Sequence, residues 1–252
     1  MGTITIAILA MLVLGIMFGV GLALASRAFA VNEDERLEVI MEELPGANCG
    51  ACGYGGCRAY AEAVVEGEEV DLCTAGGPEV AEAVAEIMGV EAGTRAEQRA
   101  VVHCQGGTDR CGWHADYDGK PDCRAADVVS GGPKACPYGC LGFGSCAEAC
   151  PFDAITMNDQ RLPVIDPEKC TACGICVGVC PRDLISLLDK KYTVYLGCSS
   201  RDSAKSVKDV CSVGCITCGM CERKDPNDAV AIQNGLPVLN YEKADGDFSV
   251  AA

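Results

Sequence analysis

Cysteine spacing constrains this chain more than any other feature. The 252 residues include 20 cysteines and only two histidines. Many of the thiols lie a few residues apart, so that several sulfurs can reach one shared centre. Disulfide frameworks are typical of smaller secreted domains, whereas thiolates without histidine favour iron–sulfur clusters or tetrahedral zinc. The spacing therefore predicts a set of metal sites.

The first group of thiols lies in a glycine-rich segment and has the spacing C-x2-C-x4-C-x15-C. Its members are Cys49, Cys52, Cys57 and Cys73. Three close ligands and one distant ligand suit a [4Fe–4S] cluster, in which each cysteine holds one iron. The glycines let backbone N–H groups approach the sulfides. Structural zinc is the alternative, but zinc sites favour two separated C-x2-C pairs.

Two further runs predict a dicluster ferredoxin. "CTACGICVGVCP" has the spacing C-x2-C-x2-C-x3-C-P, in which the fourth cysteine serves the other cluster. In "CPYGCLGFGSCAEACP" Phe143 occupies the middle position, and we expect Cys136 to replace the missing ligand. One predicted cluster is held by Cys136, Cys140, Cys146 and Cys180. The other is held by Cys150, Cys170, Cys173 and Cys176.

A third run of this type follows near the C-terminus. It keeps three closely spaced thiols, namely Cys215, Cys218 and Cys221. Asp225 stands where the fourth cysteine would be, and we expect a solvated turn residue there rather than an oxygen ligand. Cys198 or Cys211 would complete this site. The unused one remains with Cys104, Cys111 and Cys123, which suit either a further cluster or free buried thiols. At least three [4Fe–4S] clusters are expected, and four or five fit the cysteine count.

The N-terminus predicts a membrane anchor. Residues 4–25 hold no charged side chain, and a helix of that length reaches roughly 33 Å, enough to cross a bilayer core. A cleavable signal peptide is the alternative, because "AFA" at 28–30 has the form of a cleavage site. No basic residue precedes the span and Arg27 follows it. We therefore expect a single-pass anchor over residues 1–28, with the cluster domains on the cytoplasmic side of the cell membrane.

The remaining chain divides into two cysteine-bearing parts. Residues 32–90 predict a small helical [4Fe–4S] domain, residues 91–100 a linker, and residues 101–252 a ferredoxin-like multi-cluster domain. An internal repeat relates "CPFDAITMNDQRLPVID" to "DPNDAVAIQNGLPVLN". The predicted fold class is α+β: a transmembrane helix, the helical domain, and a bacterial-ferredoxin-like domain with repeated cluster-binding units.

Charge and motifs exclude several functions. The net charge of −16 argues against a nucleic-acid partner. We find no phosphate-binding loop, no G-x-G-x-x-G fingerprint and no nucleophile–base pair, so we expect neither catalytic residues nor a nucleotide or flavin site. The chain is predicted to carry electrons.

Two segments carry a family resemblance, "NCGACGYGGCRAYAEA" and "GGPKACPYGCLGFGSCAEACPFDAI". With the membrane anchor, they resemble the B subunit of the Rnf complex, a membrane-bound ferredoxin:NAD oxidoreductase that couples electron flow to Na⁺ or H⁺ translocation. The resemblance covers nearly the whole chain. It implies a translocase subunit that accepts electrons from reduced ferredoxin and passes them to membrane-embedded partners. Flavins and the NAD site would lie on other subunits.

Basic side chains near the C-terminal run offer a landing surface for ferredoxin or are scattered solvated charges. They are Lys190, Lys191, Arg201, Lys205, Lys208, Arg223 and Lys224. Two other functions share some of these features. A polyferredoxin subunit of a membrane hydrogenase or formate-oxidising complex would carry the ferredoxin runs, and a membrane-tethered redox sensor would carry an exposed cluster.

Overall fold

The N-terminal helix is the most apolar part of the molecule. The computed structural model describes residues 2–28, 34–93 and 95–243, which form a mixed helix and strand structure. Helix α1 spans Gly2–Ala28, and the stretch Ile4–Arg27 has a mean hydropathy of 2.7 with none of it buried. Among the described residues it is the one helix long and apolar enough to cross a bilayer. The alternative cleavage motif at 28–30 extends outside the described residues.

Three amphipathic helices form the next unit. They are α2 (Glu35–Glu43), α3 (Cys57–Glu66) and α4 (Gly77–Met88), and α2 packs against both of the others. Asp34 begins α2, because its side chain accepts a hydrogen bond from the Arg36 backbone N–H at 2.9 Å. The buried core between the helices includes Leu37, Ile40, Tyr60, Val64 and Val84.

A second core joins short strands to cysteine-bearing turns. The elements are β1 (Gln98–Val102), α5 (Cys123–Val128), α6 (Ser145–Glu148), β2 (Ile155–Met157), β3 (Pro163–Ile165), α7 (Ile175–Val179) and β4 (Ile185–Asp189). Strand β1 pairs antiparallel with β4, and β2 pairs antiparallel with β3. β1 begins inside the predicted linker 91–100. Cys146 and Cys176 are buried in this core beside Val102 and Ile185, so thiols stand where apolar side chains usually pack.

The C-terminal part has a much smaller core. It contains α8 (Ala204–Val210), α9 (Met220–Lys224) and an antiparallel hairpin of β5 (Val230–Gln233) and β6 (Leu236–Leu239). The hairpin turns at Asn234 and Gly235, which both have positive φ, as a two-residue turn of this sequence requires. Its fully buried apolar residues are Ala229 and Val230. Residues 244–252 of the predicted domain lie outside the described residues.

Candidate iron–sulfur sites

The first group of cysteines surrounds one cavity in the helical unit, which we name site 1. The cavity is lined by Cys49, Cys52, Cys57 and Cys73. Cys57 begins helix α3, and its backbone N–H donates to the Asn48 side chain at 2.9 Å. Burial raises the pKa of the Cys73 thiol, and the three other thiols add to the rise. These are the four residues of the predicted first group, and they line one cavity together.

Site 2 contains one of the two predicted ferredoxin groups. Its cavity is lined by Cys150, Cys170, Cys173 and Cys176. Cys150 comes from the preceding run, as the exchange of fourth ligands between runs requires. The Ala100 backbone N–H in β1 donates to the Cys170 sulfur at 3.4 Å. Strand β1 therefore contributes to the wall of this site.

Site 3 differs from the predicted grouping in one member. Its cavity is lined by Cys123, Cys140, Cys146 and Cys180. Cys136, which the spacing assigned to this group, does not line this cavity and lines another one. Cys123, at the start of α5, supplies the fourth thiol of this cavity in place of the cysteine that the run lacks at Phe143.

A serine hydroxyl fixes Cys123 beside the run. The Cys123 backbone N–H donates to Ser145 Oγ at 2.8 Å, and that hydroxyl donates in turn to Asp122 Oδ2 at 3.2 Å. Asp122 also caps α5 by accepting from the Ala125 backbone N–H at 2.8 Å. Because Ser145 precedes Cys146 in the chain, the network ties the distant thiol to its neighbour in site 3.

Site 4 brings Cys136 together with cysteines that the spacing left unassigned. We define it as Cys104, Cys111, Cys136 and Cys211, which line one cavity. Cys111 and Cys211 face each other across an isolated β-bridge. A Cβ added at Gly106 would lie 3.1 Å from the Cys211 sulfur, so a larger residue there would crowd this cavity. Cys198 also lines this cavity.

Site 5 completes the third run. We define it as Cys198, Cys215, Cys218 and Cys221. The Cys215 backbone N–H donates to the Cys198 sulfur at 3.2 Å. Burial raises the pKa of Cys215, and the nearby thiols of Cys198, Cys221 and Cys218 add to the rise. Of the two alternatives that the sequence left open, this geometry favours Cys198 over Cys211.

The Asp225 side chain is engaged in hydrogen bonds within its own turn. Its carboxylate accepts hydrogen bonds from the backbone N–H groups of Asn227, Ala229 and Val230. Burial opposes ionisation, but these three donors together hold the pKa of Asp225 below its usual value. The side chain is half-buried and its oxygens are engaged, which supports the expected turn role over an iron-ligand role.

Three cysteine runs share the same backbone features. Two residues after the first cysteine of each run, φ is positive at Gly142, Ala172 and Thr217. Two residues later φ is positive again, at the glycines that begin α6, α7 and α9, which are Gly144, Gly174 and Gly219. Each of these helices contains the cysteine at the third ligand position of its run. Positive φ turns the loop sharply, so that successive thiols point toward the same cavity.

Two buried hydroxyls indicate what these cavities accept. Thr74 follows Cys73 at site 1 and Thr171 follows Cys170 at site 2, and each lines the cavity of its site. Among the described residues, the hydroxyl oxygens of both threonines are buried without a hydrogen-bond partner. Buried polar atoms usually have one. A sulfur-rich cluster would supply the acceptor at both positions.

The arrangement of the thiols favours clusters over single metal ions. Around one zinc ion, with Zn–S bonds of about 2.3 Å, the four sulfurs converge on a point. In the described part of the chain, no three His, Cys, Asp or Glu side chains converge closely enough to hold a single ion. The cysteines of sites 1 to 4 line cavities instead, as the ligands of a cube-shaped cluster do.

Burial keeps several of these thiols protonated when no metal is bound. It raises the pKa of Cys140 and Cys176 to about 12, and that of Cys146 and Cys111 to about 11. A thiol must lose its proton to bind iron. Assembly of clusters at these sites therefore releases protons.

The five sites are neighbours in the order in which we number them. Burial raises the pKa of Cys173 and Cys176 in site 2; Cys49 of site 1 lies close enough to add to the rise at Cys173, and Cys146 of site 3 to that at Cys176. The Cys140 backbone N–H of site 3 donates to the Cys104 sulfur of site 4 at 3.4 Å. Cys136 of site 4 interacts with Cys198 of site 5. All twenty cysteines are described, and Cys218 of site 5 is the one that is exposed.

Comparison with known proteins identifies two parts of the chain. Residues 44–75 match a family model for an Fe-S cluster, and residues 137–187 match a model for a 4Fe-4S dicluster domain. The first match contains all of site 1. The second contains every cysteine of sites 2 and 3 except Cys123.

Three relatives match over most of the chain. The B subunit of the Na(+)-translocating ferredoxin:NAD(+) oxidoreductase complex of Acetobacterium woodii is 43% identical over 92% of this chain and 70% of its own length. The B subunit of the proton-translocating ferredoxin:NAD(+) oxidoreductase complex of Clostridium ljungdahlii is 40% identical over 95% of this chain and 85% of its own length. The B subunit of the ion-translocating oxidoreductase complex of Methanosarcina acetivorans is 42% identical over 91% of this chain and 88% of its own length. The chain belongs to this family, the B subunits of the ion-translocating Rnf oxidoreductase complexes.

Proposed function

We propose that this subunit relays electrons through five [4Fe–4S] clusters, from an exposed end at site 5 to site 1 in the helical unit. As a member of its family, the chain is an iron–sulfur electron-transfer subunit of an ion-translocating oxidoreductase complex with several [4Fe–4S] clusters. The relatives do not favour the polyferredoxin or sensor alternatives.

The continuity of the five sites supports this proposal most strongly. Each site has a cysteine close enough to interact with a cysteine of the next, from Cys49 through to Cys198. Bound clusters would supply one-electron carriers whose potentials depend on hydrogen bonds to sulfur and on solvent exposure. The chain itself holds the thiols in place, excludes water from the inner sites and donates backbone N–H groups to sulfur.

The two ends of this series differ in how they meet a partner. Site 5 is next to solvent through Cys218, and residues 198–224 carry five basic and three acidic side chains in a chain whose net charge is −16. Local positive charge attracts an acidic partner and raises its association rate. We assign reduced ferredoxin as the donor that docks here, with Arg201, Lys205, Lys208, Arg223 and Lys224 as the landing surface.

Site 1 follows the membrane helix in the chain. Helix α1 is one pass in this proposal, and Arg27 after the apolar span supports a cytoplasmic position for the cluster-bearing part. Electrons then leave site 1 for membrane-embedded and flavin-bearing subunits of the complex.

The cluster number is tested by iron and acid-labile sulfide per chain, with EPR spectra, on the anaerobically purified complex. Five clusters hold about twenty irons, at four per cluster. About twelve irons would limit the clusters to sites 1, 2 and 3. Zinc in place of iron would overturn the electron-transfer proposal.

The docking end is tested by stopped-flow reduction of the complex by reduced ferredoxin. Lys205→Glu combined with Lys208→Glu should slow the second-order rate about tenfold or more at low salt and reduce its salt dependence. Lys169→Glu, an exposed lysine beside site 2, is the matched control and should have a small effect. Equal slowing by the control would place docking elsewhere.

A further inference from the structure

Lys134 is a buried cation between two of the sites. The residue is 3% exposed. Its ammonium group donates to the Gly106 carbonyl in the wall of site 4 and, at 2.8 Å, to the carbonyl of Cys140, a site 3 cysteine. A Cβ added at Gly139 would lie 3.1 Å from Lys134 Cε. The side chain is therefore held closely by the backbone around it.

Within the described part of the chain, no carboxylate pairs with this ammonium group. Among the described residues, Lys134 has no Asp or Glu oxygen within 4.0 Å. The buried Arg182, by contrast, pairs with Asp127 Oδ1 at 2.9 Å. A buried charge without a counter-charge is costly, and proteins usually pair it.

Cysteines surround Lys134 and would bring negative charge to it as thiolates. The ammonium interacts electrostatically with Cys111 of site 4 and Cys140 of site 3, lowering the pKa that burial has raised in each. A cluster with four thiolate ligands carries net negative charge, and each added electron makes it more negative. A fixed cation beside it favours the reduced form by Coulomb attraction.

We propose that Lys134 is the counter-ion of site 4, shared with site 3, and that it raises the reduction potentials of these middle clusters. This inference rests on the proposed function, since it requires clusters at both sites. Lys134 acts as a positioning charge: it binds no iron and no partner. Electrons arriving at site 5 are drawn inward to the middle clusters by this buried cation; among the described residues, no lysine or arginine lines the cavity of site 1.

The test compares charge with hydrogen bonding at this position. Lys134→Gln keeps hydrogen-bond donors and removes the charge, Lys134→Arg keeps the charge, and Lys120→Met removes an exposed lysine as the control. EPR-monitored redox titration of the intact complex gives the midpoint potentials. In Lys134→Gln we expect at least one potential to fall by about 59 mV or more, a tenfold change in the one-electron equilibrium. Lys134→Arg should return it toward the wild-type value, and Lys120→Met should change nothing.

The outcomes separate this inference from the proposed function. Unchanged potentials in a fully iron-loaded Lys134→Gln overturn the role of Lys134 and leave the relay intact. Wild-type complex with about twelve irons per chain overturns site 4 and both proposals with it. Where Lys134→Gln loses iron, Lys134→Arg decides: iron retained at the wild-type potential supports the counter-ion role, and iron lost there too overturns it.

Discussion

The helical unit around site 1 and the C-terminal unit around site 5 hold their thiols by different means. Residues 34–93 contain fourteen acidic and two basic side chains, and they have an apolar core of their own around Tyr60. The C-terminal hairpin buries only Ala229 and Val230, and Cys218 is exposed. One unit is shielded and repels acidic partners, whereas the other is open and locally basic. We expect the first to retain structure without its cluster and the second to depend on it.

The largest expected effects come from removing one thiol at each end. Cys52→Ser and Cys218→Ser should each cost about four irons per chain. Hydrogen–deuterium exchange of the complex should then rise strongly in the β5–β6 hairpin of Cys218→Ser, because little apolar burial remains there. Helices α2–α4 of Cys52→Ser should stay protected. Similar loss of protection at both ends would contradict the comparison.

A substitution at site 4 should interrupt electron transfer between site 5 and site 1 without altering either of those two sites. In Gly106→Ala the new methyl group would contact the Cys211 sulfur and the Cys111 Cβ at about 3.1 and 3.2 Å. We expect loss of the site 4 irons, about four per chain, and at least tenfold slower reduction of site 1 by ferredoxin.

The control for this variant is Gly178→Ala in α7. A Cβ there meets nothing within 4 Å, although Cys180 is two residues away. Its iron content and reduction rate should match the wild type. If Gly106→Ala also behaves like the wild type, site 4 is not part of the relay.

In the helical unit, removing a buried tyrosine hydroxyl should lower the free energy of unfolding more than removing an exposed one. Tyr60 donates to the Glu69 carbonyl at 3.0 Å and accepts from the Leu72 backbone N–H at 3.3 Å. Tyr60→Phe leaves both groups unpaired and should lower the free energy of unfolding of this unit by about 1–3 kcal/mol. Tyr54→Phe, which removes an exposed bond to Glu68, should cost less. Urea titration followed by amide exchange measures both.

The smallest expected effect is in the turn before the hairpin. Asp225→Asn removes one of the two carboxylate oxygens that accept from the backbone, so amide exchange of Ala229 and Val230 should rise by a factor of a few. Asp228→Asn is the same change in the same turn, at a position where positive φ suits asparagine. It should leave those amides unchanged, and an equal rise would mean that Asp225 has no special role.

Local spacing predicts the groupings that come from compact runs. At sites 1 and 2 the predicted cysteines line one cavity each, because three of them come from one tight turn and the fourth follows a known pattern. The helices α2–α4 are predictable from their apolar periodicity. These features depend on residues that are close together in the chain, so they can be identified from the sequence alone.

The ligands that arrive from a distance cannot be assigned in this way. Phe143 indicates that a thiol is missing, and closeness in sequence favours Cys136, but the structure brings Cys123 instead. The pattern Asp122-Cys123 at a helix start is a usable signal, since an N-cap fixes the direction of the thiol that follows it. Cys198 and Cys211 are equally plausible by spacing, and only the fold separates them.

The placement of Cys123 limits where the ferredoxin part can be truncated to make an isolated domain. The dicluster match runs from residue 137 to residue 187, and a fragment with those limits looks self-contained. It would carry three of the four thiols of site 3, and Ser145 would lose the backbone N–H that it anchors. A graft of the ferredoxin part into another scaffold therefore has to start upstream of Asp122, whereas site 1 can be moved as one uninterrupted segment.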